Sequence, residues 1–304
     1  MSTIKKFVFN IPNEKAVIPT ISKEEQRKQL EEVNRKLLEA DAVIVGIGSG
    51  MSSAGGYNYY HETAFFNQYF NKYKERYGFN NLFFGLNHVY ASPEEQWAFL
   101  SEYVYRIESE RAADAYLHLN TWLKIKNYFI ITTNIDAQVS KVFPKEKIWT
   151  FQGDVRYFQC SQPCHDAIYS NRESIHAMIK TIHDYKVDSN LIPRCPYCGR
   201  RMCLWVRDEQ FLEGTYWNEQ RQQYEQFVET YKNERVLFLE LGVGDMTPSI
   251  IKFPFWEMTY NFPNAYLVSI NIGDRDRPQH LLEKTTLLTM DLNEALRELC
   301  EINH

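Results

Sequence analysis

Apolar positions along the chain alternate between a helical and a strand-like rhythm. Ser22-Lys23-Glu24-Glu25 has the form of a capping box, and Leu30, Val33, Leu37 and Leu38 follow at helical spacing, so a helix is predicted to about Ala40. Ala42-Val43-Ile44-Val45 is a short, fully apolar strand that runs into Gly46-Ile47-Gly48-Ser49-Gly50 and then Ser52-Ser53-Ala54-Gly55-Gly56. Strand, glycine turn and small-residue helix start are the opening of a nucleotide-binding crossover. From Tyr57 to about Lys126 the pattern is helical and polar–aromatic, with Pro93-Glu94-Glu95-Gln96-Trp97 opening one helix and no strand in evidence.

Further strands are predicted at Tyr128–Ile131, Lys147–Thr150, Arg235–Leu241, Ala265–Asn271 and Thr286–Thr289, before a helix from about Leu292. Strands alternating with helices give an α/β class: a Rossmann-like, mostly parallel sheet with a smaller metal-ribbon and helical lobe. The whole of 1–304 reads as one domain. Its sheet lobe is drawn from 22–56, 127–158 and 232–304, with a helical insertion at 57–126 and a cysteine-rich module at 159–215.

Composition narrows the functions. The net charge of −5 supplies no field for coating nucleic acid. With 44% hydrophobic and 24% charged residues the chain is globular in type. No apolar run reaches the roughly 18–20 residues of a membrane span. Met1-Ser2-Thr3-Ile4-Lys5-Lys6 is not followed by an apolar stretch, so no signal peptide is expected and the cytoplasm is the expected compartment, where disulfides are rare. The 20 Tyr and 19 Phe suit a well-buried core.

The glycine turn lacks the third glycine of the strict dinucleotide fingerprint, because Met51 stands there. Gly46, Gly48, Ser49, Gly50 and Ser53 still offer close backbone approach to a diphosphate and free N–H groups at a helix start. Gly242, Val243 and Gly244 form a second such turn after a second apolar strand. Each alone is equally a tight turn with no ligand; together they favour a ligand at the crevice of the sheet. Cys160-x₃-Cys164 and Cys195-x₂-Cys198, thirty residues apart, can close a tetrahedral zinc site, structural because all four ligands are protein. Cys203 and His165 are substitute ligand candidates, although Cys203 suits a buried small residue, and Cys300 carries no signal. The remaining histidines, His61, His88, His118, His176, His183, His280 and His304, lack metal spacing.

The order of these motifs resembles the sirtuins over about residues 40 to 295. Thr132-Thr133-Asn134-Ile135-Asp136 is similar to the family's Thr-Gln-Asn-Ile-Asp, with Thr133 for Gln. Gly242-Val243-Gly244 stands for its Gly-Thr-Ser loop, and Asn271 for an asparagine at the adenine-side ribose. The resemblance implies NAD as co-substrate, zinc as structural metal, and Asn134 and Asp136 positioning the nicotinamide ribose. On local pattern alone Asn134 suits a turn, Asp136 a helix cap and Gln152 a solvent-facing turn.

Departures from the family refine the expectation. Deacylases of the family carry His-Gly before the ribbon, where the imidazole acts as a base; here the pair is Gln152-Gly153. A glutamine amide donates and accepts hydrogen bonds but does not titrate near neutral pH. The Pro-Asp-Phe-Arg stretch is replaced by Gly56-Tyr57-Asn58-Tyr59, and the peptide-pairing strand reads Leu204-Trp205-Val206-Arg207-Asp208-Glu209. The combination resembles class M, the macrodomain-linked sirtuins of bacteria and fungi. That implies a protein ADP-ribosyltransferase, a lipoylated glycine-cleavage-H-like carrier as acceptor, and a linked macrodomain hydrolase. Asn134, Asp136 and Gln152 are the expected catalytic residues. Lysine deacylation, NAD hydrolysis and NAD sensing without turnover are the competing readings. Arg194, Arg200, Arg201 and Arg207 around the ribbon read as a solvated face or, if they dock anything, a site for an acidic carrier.

Overall fold

A computed structural model describes residues 22–273 and 278–302. The readings made on Met1–Lys6 and on His304 fall outside them. The helix Lys23–Glu39 opens as its sequence predicts, with Ser22 Oγ accepting from the Glu25 N–H at 3.1 Å. It leads into β1 (Ala42–Ile47), whose residues are all buried. The main sheet adds β2 (Asn127–Thr132), β3 (Ile148–Thr150), β7 (Val236–Leu241), β8 (Tyr266–Ile270) and β9 (Thr285–Leu288). Its order is β3-β2-β1-β7-β8-β9, and every pairing is parallel. Chain direction across the sheet reverses at β1, so the crevice for a ligand lies beyond the carboxyl ends of β1 and β7.

Both faces of the sheet are covered. Val43, Val45 and Ile47 pack with Leu30, Leu37, Trp122 and Leu296, which come from the helices Lys23–Glu39, Asp114–Leu123 and Leu292–Ile302. Asp114–Leu123 thus lies on the sheet, because its apolar stripe of Ala115, Leu119 and Trp122 joins that core; the other buried apolar residues of 57–126 belong to a separate core. Ile44, Phe129 and Phe238 point the other way, against the helices Thr215–Tyr231 and Lys252–Asn261. Gly46 is on this second face, where a Cβ would meet Ile251 and Phe255.

The smaller lobe joins a three-stranded antiparallel sheet to helices. The sheet has the order β5-β4-β6, from β4 (Gly153–Cys160), β5 (Tyr169–Ser170) and β6 (Met202–Val206). β4 and β5 were not foreseen, since eight polar–apolar mixed residues from Gly153 give little strand rhythm. The helices Ala64–Tyr77, Pro93–Ser109 and Arg172–Ile179 pack on it. Here the many aromatics are used: Phe70, Tyr73 and Phe79 surround Phe99 with ring centroids 5.1–5.5 Å away. Such contacts add about 0.5–1.5 kcal/mol each beyond area burial. Among the described residues no helix is long and apolar enough to cross a membrane.

Candidate active site

A cleft of about 450 Å³ opens between the two lobes, at the carboxyl ends of the sheet strands. Its floor is made of the turns the sequence singled out. Gly48 and Ser49 after β1, Asn134 after β2, Gln152 after β3, and Val243 and Gly244 after β7 all line it.

The two glycine turns are packed on each other. Gly50 N–H donates to the Gly242 carbonyl at 2.9 Å, and a Cβ on Gly50 would lie 2.6 Å from Gly242 Cα. Gly242 has φ +60°, a left-handed conformation. The glycines at 50 and 242 therefore let two backbones touch, and neither lines the cleft. Gly46 is turned to Ile251 and Phe255, and Ser53 Oγ bonds the Ser49 carbonyl at 3.1 Å within its own helix. Asn271 Nδ2 donates to the Val243 carbonyl at 3.0 Å and braces that turn from behind.

Asn134 is 9% exposed and faces the cleft. Its Nδ2 donates to the Gly48 carbonyl at 2.8 Å and to Tyr116 Oη at 3.3 Å, and its N–H donates to Thr132 Oγ1 at 3.0 Å. Asp136, two residues on, does not line the cleft. It is fully buried, where Oδ2 accepts from Ser52 Oγ at 2.5 Å and Oδ1 from the Gln138 N–H at 3.2 Å. Burial raises its pKa above the ordinary carboxylate value, partly opposed by those two donors. Asp136 is thus placed to hold the loop that carries Asn134, with Ala137 beside it at φ +58°.

Gln152 owes its place to Gly153, which has φ +86°; a Cβ there would lie 2.1 Å from the Trp205 carbonyl. Only glycine lets β4 start so close to β6. The Gln152 carbonyl then accepts from the Arg207 N–H at 3.0 Å. Arg207 also lines the cleft, so it is not simply part of a solvated face. Its guanidinium donates to the Phe151 carbonyl and to Glu213, and stacks over Phe151 and Phe211 at 4.7 and 4.3 Å. Arg194, Arg200 and Arg201 are exposed on the cysteine module.

The upper wall comes from the helical lobe, where sequence reasoning assigned nothing: Tyr59, Tyr60, Phe83, Leu86 and Asn87. The only hint was the run Tyr57-Asn58-Tyr59-Tyr60 directly after Gly55-Gly56; residues 83–87 carry no signature. Cys203 is on the lower wall and burial pushes its thiol up to about 12.

Away from the cleft, Cys160, Cys164, Cys195 and Cys198 bring four sulfurs within 4.8 Å of one another. Cys160–Cys198 and Cys164–Cys195 are both 3.6 Å apart, far beyond a disulfide bond. A zinc tetrahedron with bonds of ~2.3 Å has sulfur–sulfur edges of about 3.8 Å, so the set fits zinc. Cys203 is not part of it, and Cys300 Sγ instead bonds the His118 carbonyl.

Solved sirtuins share this architecture. A structure determined for sirtuin substrate affinity superposes with a TM-score of 0.60 at 18% identity, over 90% of this chain and 99% of that one. A Sir2 protein bound to an acetylated peptide gives 0.58 at 18%, covering 90% and 98%. A Staphylococcus aureus protein named protein ADP-ribosyltransferase is 33% identical over 277 residues, 90% of this chain and 87% of its own. The chain belongs to the family of that protein, and its fold is the sirtuin fold. The chain is also 28% identical over 229 residues to a Fusarium oxysporum protein named a probable bifunctional ADP-ribose hydrolase/ADP-ribosyltransferase. That match takes in 72% of this chain and 38% of the fungal one. No family model matches the chain. The relationship to the Staphylococcus aureus protein makes this protein an enzyme, and its four-cysteine set is suited to a structural metal ion.

Proposed function

We propose that this protein is an NAD-dependent protein ADP-ribosyltransferase of the class M branch. It breaks the nicotinamide–ribose bond of NAD and joins the anomeric carbon to a nucleophile of a protein acceptor, a lipoylated glycine-cleavage-H-like carrier. The observation that carries this reading is Gln152 on the cleft wall, fixed there by Gly153 and Arg207. A deacylase needs a base for the ribose hydroxyls at this point, and an amide takes no proton near neutral pH. The name of the Staphylococcus aureus relative supports the same choice.

The residues divide the work. Departure of nicotinamide builds positive charge at the anomeric carbon, so the ribose must be oriented and shielded from water. Asn134 orients the ribose, with its Nδ2 engaged by Gly48. Gln152 hydrogen-bonds the ribose hydroxyls without accepting a proton. The Gly48-Ser49 and Val243-Gly244 turns hold the dinucleotide, backed by Gly46, Gly50, Ser53, Gly242 and Asn271. Asp136 acts through Ser52 as a positioning residue. Tyr60, Phe83, Leu86 and Val206 make an apolar wall that excludes water and suits the apolar arm of a lipoylated acceptor. A macrodomain hydrolase removing the mark fits the paired activities in the name of the fungal relative.

The test is one incubation with NAD labelled in its adenylate and a lipoylated carrier, with products identified by mass spectrometry. Label on the carrier is expected, lost in Asn134→Ala and reduced in Gln152→Ala. O-acyl-ADP-ribose made from an acyl-lysine peptide as the main product, or free ADP-ribose at a rate indifferent to the carrier, overturns the proposal.

A further inference from the structure

We infer that His165 is a reserve ligand for the zinc site, able to replace Cys164. The inference rests on the four-cysteine set holding zinc. His165 Nδ1 is 3.2 Å from Cys164 Sγ and 3.8 Å from Cys195 Sγ, so the imidazole overhangs the edge joining these two sulfurs. Its ring stacks on Tyr197, between Cys195 and Cys198, with centroids 4.1 Å apart and planes 21° apart. Nε2 is 2.7 Å from Tyr169 Oη on β5. The ring is therefore held from three sides, and no cleft residue holds it.

The hydroxyl partner permits two states of the neutral ring. With Cys164 as ligand, Nδ1–H donates to its thiolate and Nε2 accepts from the Tyr169 hydroxyl. With Cys164 gone, the ring proton sits on Nε2 and donates to Tyr169 Oη, and Nδ1 presents its lone pair to the metal. The Tyr169 hydroxyl suits either tautomer, since it serves as donor or acceptor. Three thiolates and one imidazole are a stable zinc set. Cys164 and Cys198 are exposed, whereas Cys160 and Cys195 are buried; of the two exposed ligands, Cys164 is the one with the imidazole 3.2 Å from its sulfur. Adjacency in the chain means that the exchange needs only local movement of one loop.

The experiment measures zinc per chain and the cobalt-substituted absorption spectrum of the purified full-length protein. Cys164→Ser is expected to keep roughly one zinc per chain and show the cobalt spectrum of three sulfurs and one nitrogen. Cys160→Ser, with no imidazole beside it, is expected to lose the metal, as is the double variant Cys164→Ser/His165→Ala. His165→Ala alone is expected to weaken zinc by about 10–100-fold in chelator competition, as loss of a group bonded to a ligand does. If Cys164→Ser is as metal-poor as Cys160→Ser, or precipitates without metal, the inference is overturned. It is equally overturned if the double variant keeps its zinc. A wild-type protein that binds no zinc sinks the metal reading itself, and is seen before any variant is made.

Discussion

The Asn134 side chain donates through Nδ2 to the Gly48 carbonyl oxygen, 2.8 Å away, which ties the end of β2 to the turn after β1. A second bond to Tyr116 Oη, at 3.3 Å, fixes which way the amide points. Asn134→Ala is expected to lower nicotinamide release by at least about 10²-fold, as removal of a positioned polar group in a reaction site does. Zinc content and folding should be retained. Tyr116→Phe keeps the packing and removes one bond. It should lower kcat by a smaller factor and leave KM for NAD nearly unchanged, whereas a purely structural role would show in stability alone.

Gly50 and Gly242 give a different kind of prediction. A Cβ on Gly50 would sit 2.6 Å from Gly242 Cα and 3.0 Å from the Gly242 carbonyl oxygen. Both obstacles are backbone, so the turns must part. Gly50→Ala is expected to destabilise by about 1–3 kcal/mol, the usual cost of overpacking. Because the same turns make the cleft floor, KM for NAD should rise as well. Urea unfolding and steady-state kinetics on the variant check the two effects, and a variant with unchanged stability would contradict the close packing.

The sheet was legible because its strands are short, apolar and bounded by glycine or polar turns, and β1 extends only two residues beyond its predicted apolar run. The cysteine set was legible because ligand chemistry fixes its spacing. Within the glycine runs, periodicity could not separate residues facing the cleft from those facing a neighbour. Gly48 and Gly244 face the cleft, whereas Gly50 and Gly242 face each other, a distinction made only by the pairing of β1 with β7. Asp136 shows the same limit, since its partner Ser52 is 84 residues away in sequence. The Phe83–Asn87 wall had no local signal at all, because aromatic residues in a helix read as core whether they face a core or a cleft.

Removal of the metal should act on the cleft at a distance. β4 runs from Gly153, next to Gln152, to the ligand Cys160, and it pairs with β6, which precedes Arg207. Losing zinc removes folding free energy on the order of 10–16 kcal/mol in small zinc modules. Strong chelation is therefore expected to abolish turnover and change the near-ultraviolet circular dichroism of Trp205 and its aromatic neighbours. Zinc added back before aggregation should restore both. Full activity in a protein shown to be metal-free would break the link between module and cleft.

Asp41 and Arg235 lie at the opposite end of the strands from the cleft, where β1 and β7 begin. Arg235 Nε and Nη2 donate to the two Asp41 carboxylate oxygens at 2.8 and 2.6 Å. These bonds hold the Asp41 pKa at about 2, below its ordinary 3.8. A depressed carboxyl pKa means that the unfolded chain binds the proton first as pH falls, so the pair stabilises the fold above pH 3.8 and loses this contribution down to about 2. Asp41→Asn is expected to lower stability at pH 7 by a small amount, since the pair is solvent-accessible and screened. The variant should also lose part of the wild type's decline between those two pH values. Urea titrations of both proteins at pH 7, 4 and 3 measure this. Turnover should not change, because no residue of the pair lines the cleft. A difference between the two proteins that stays constant from pH 7 down through that window would show that the carboxyl is not depressed by its arginine.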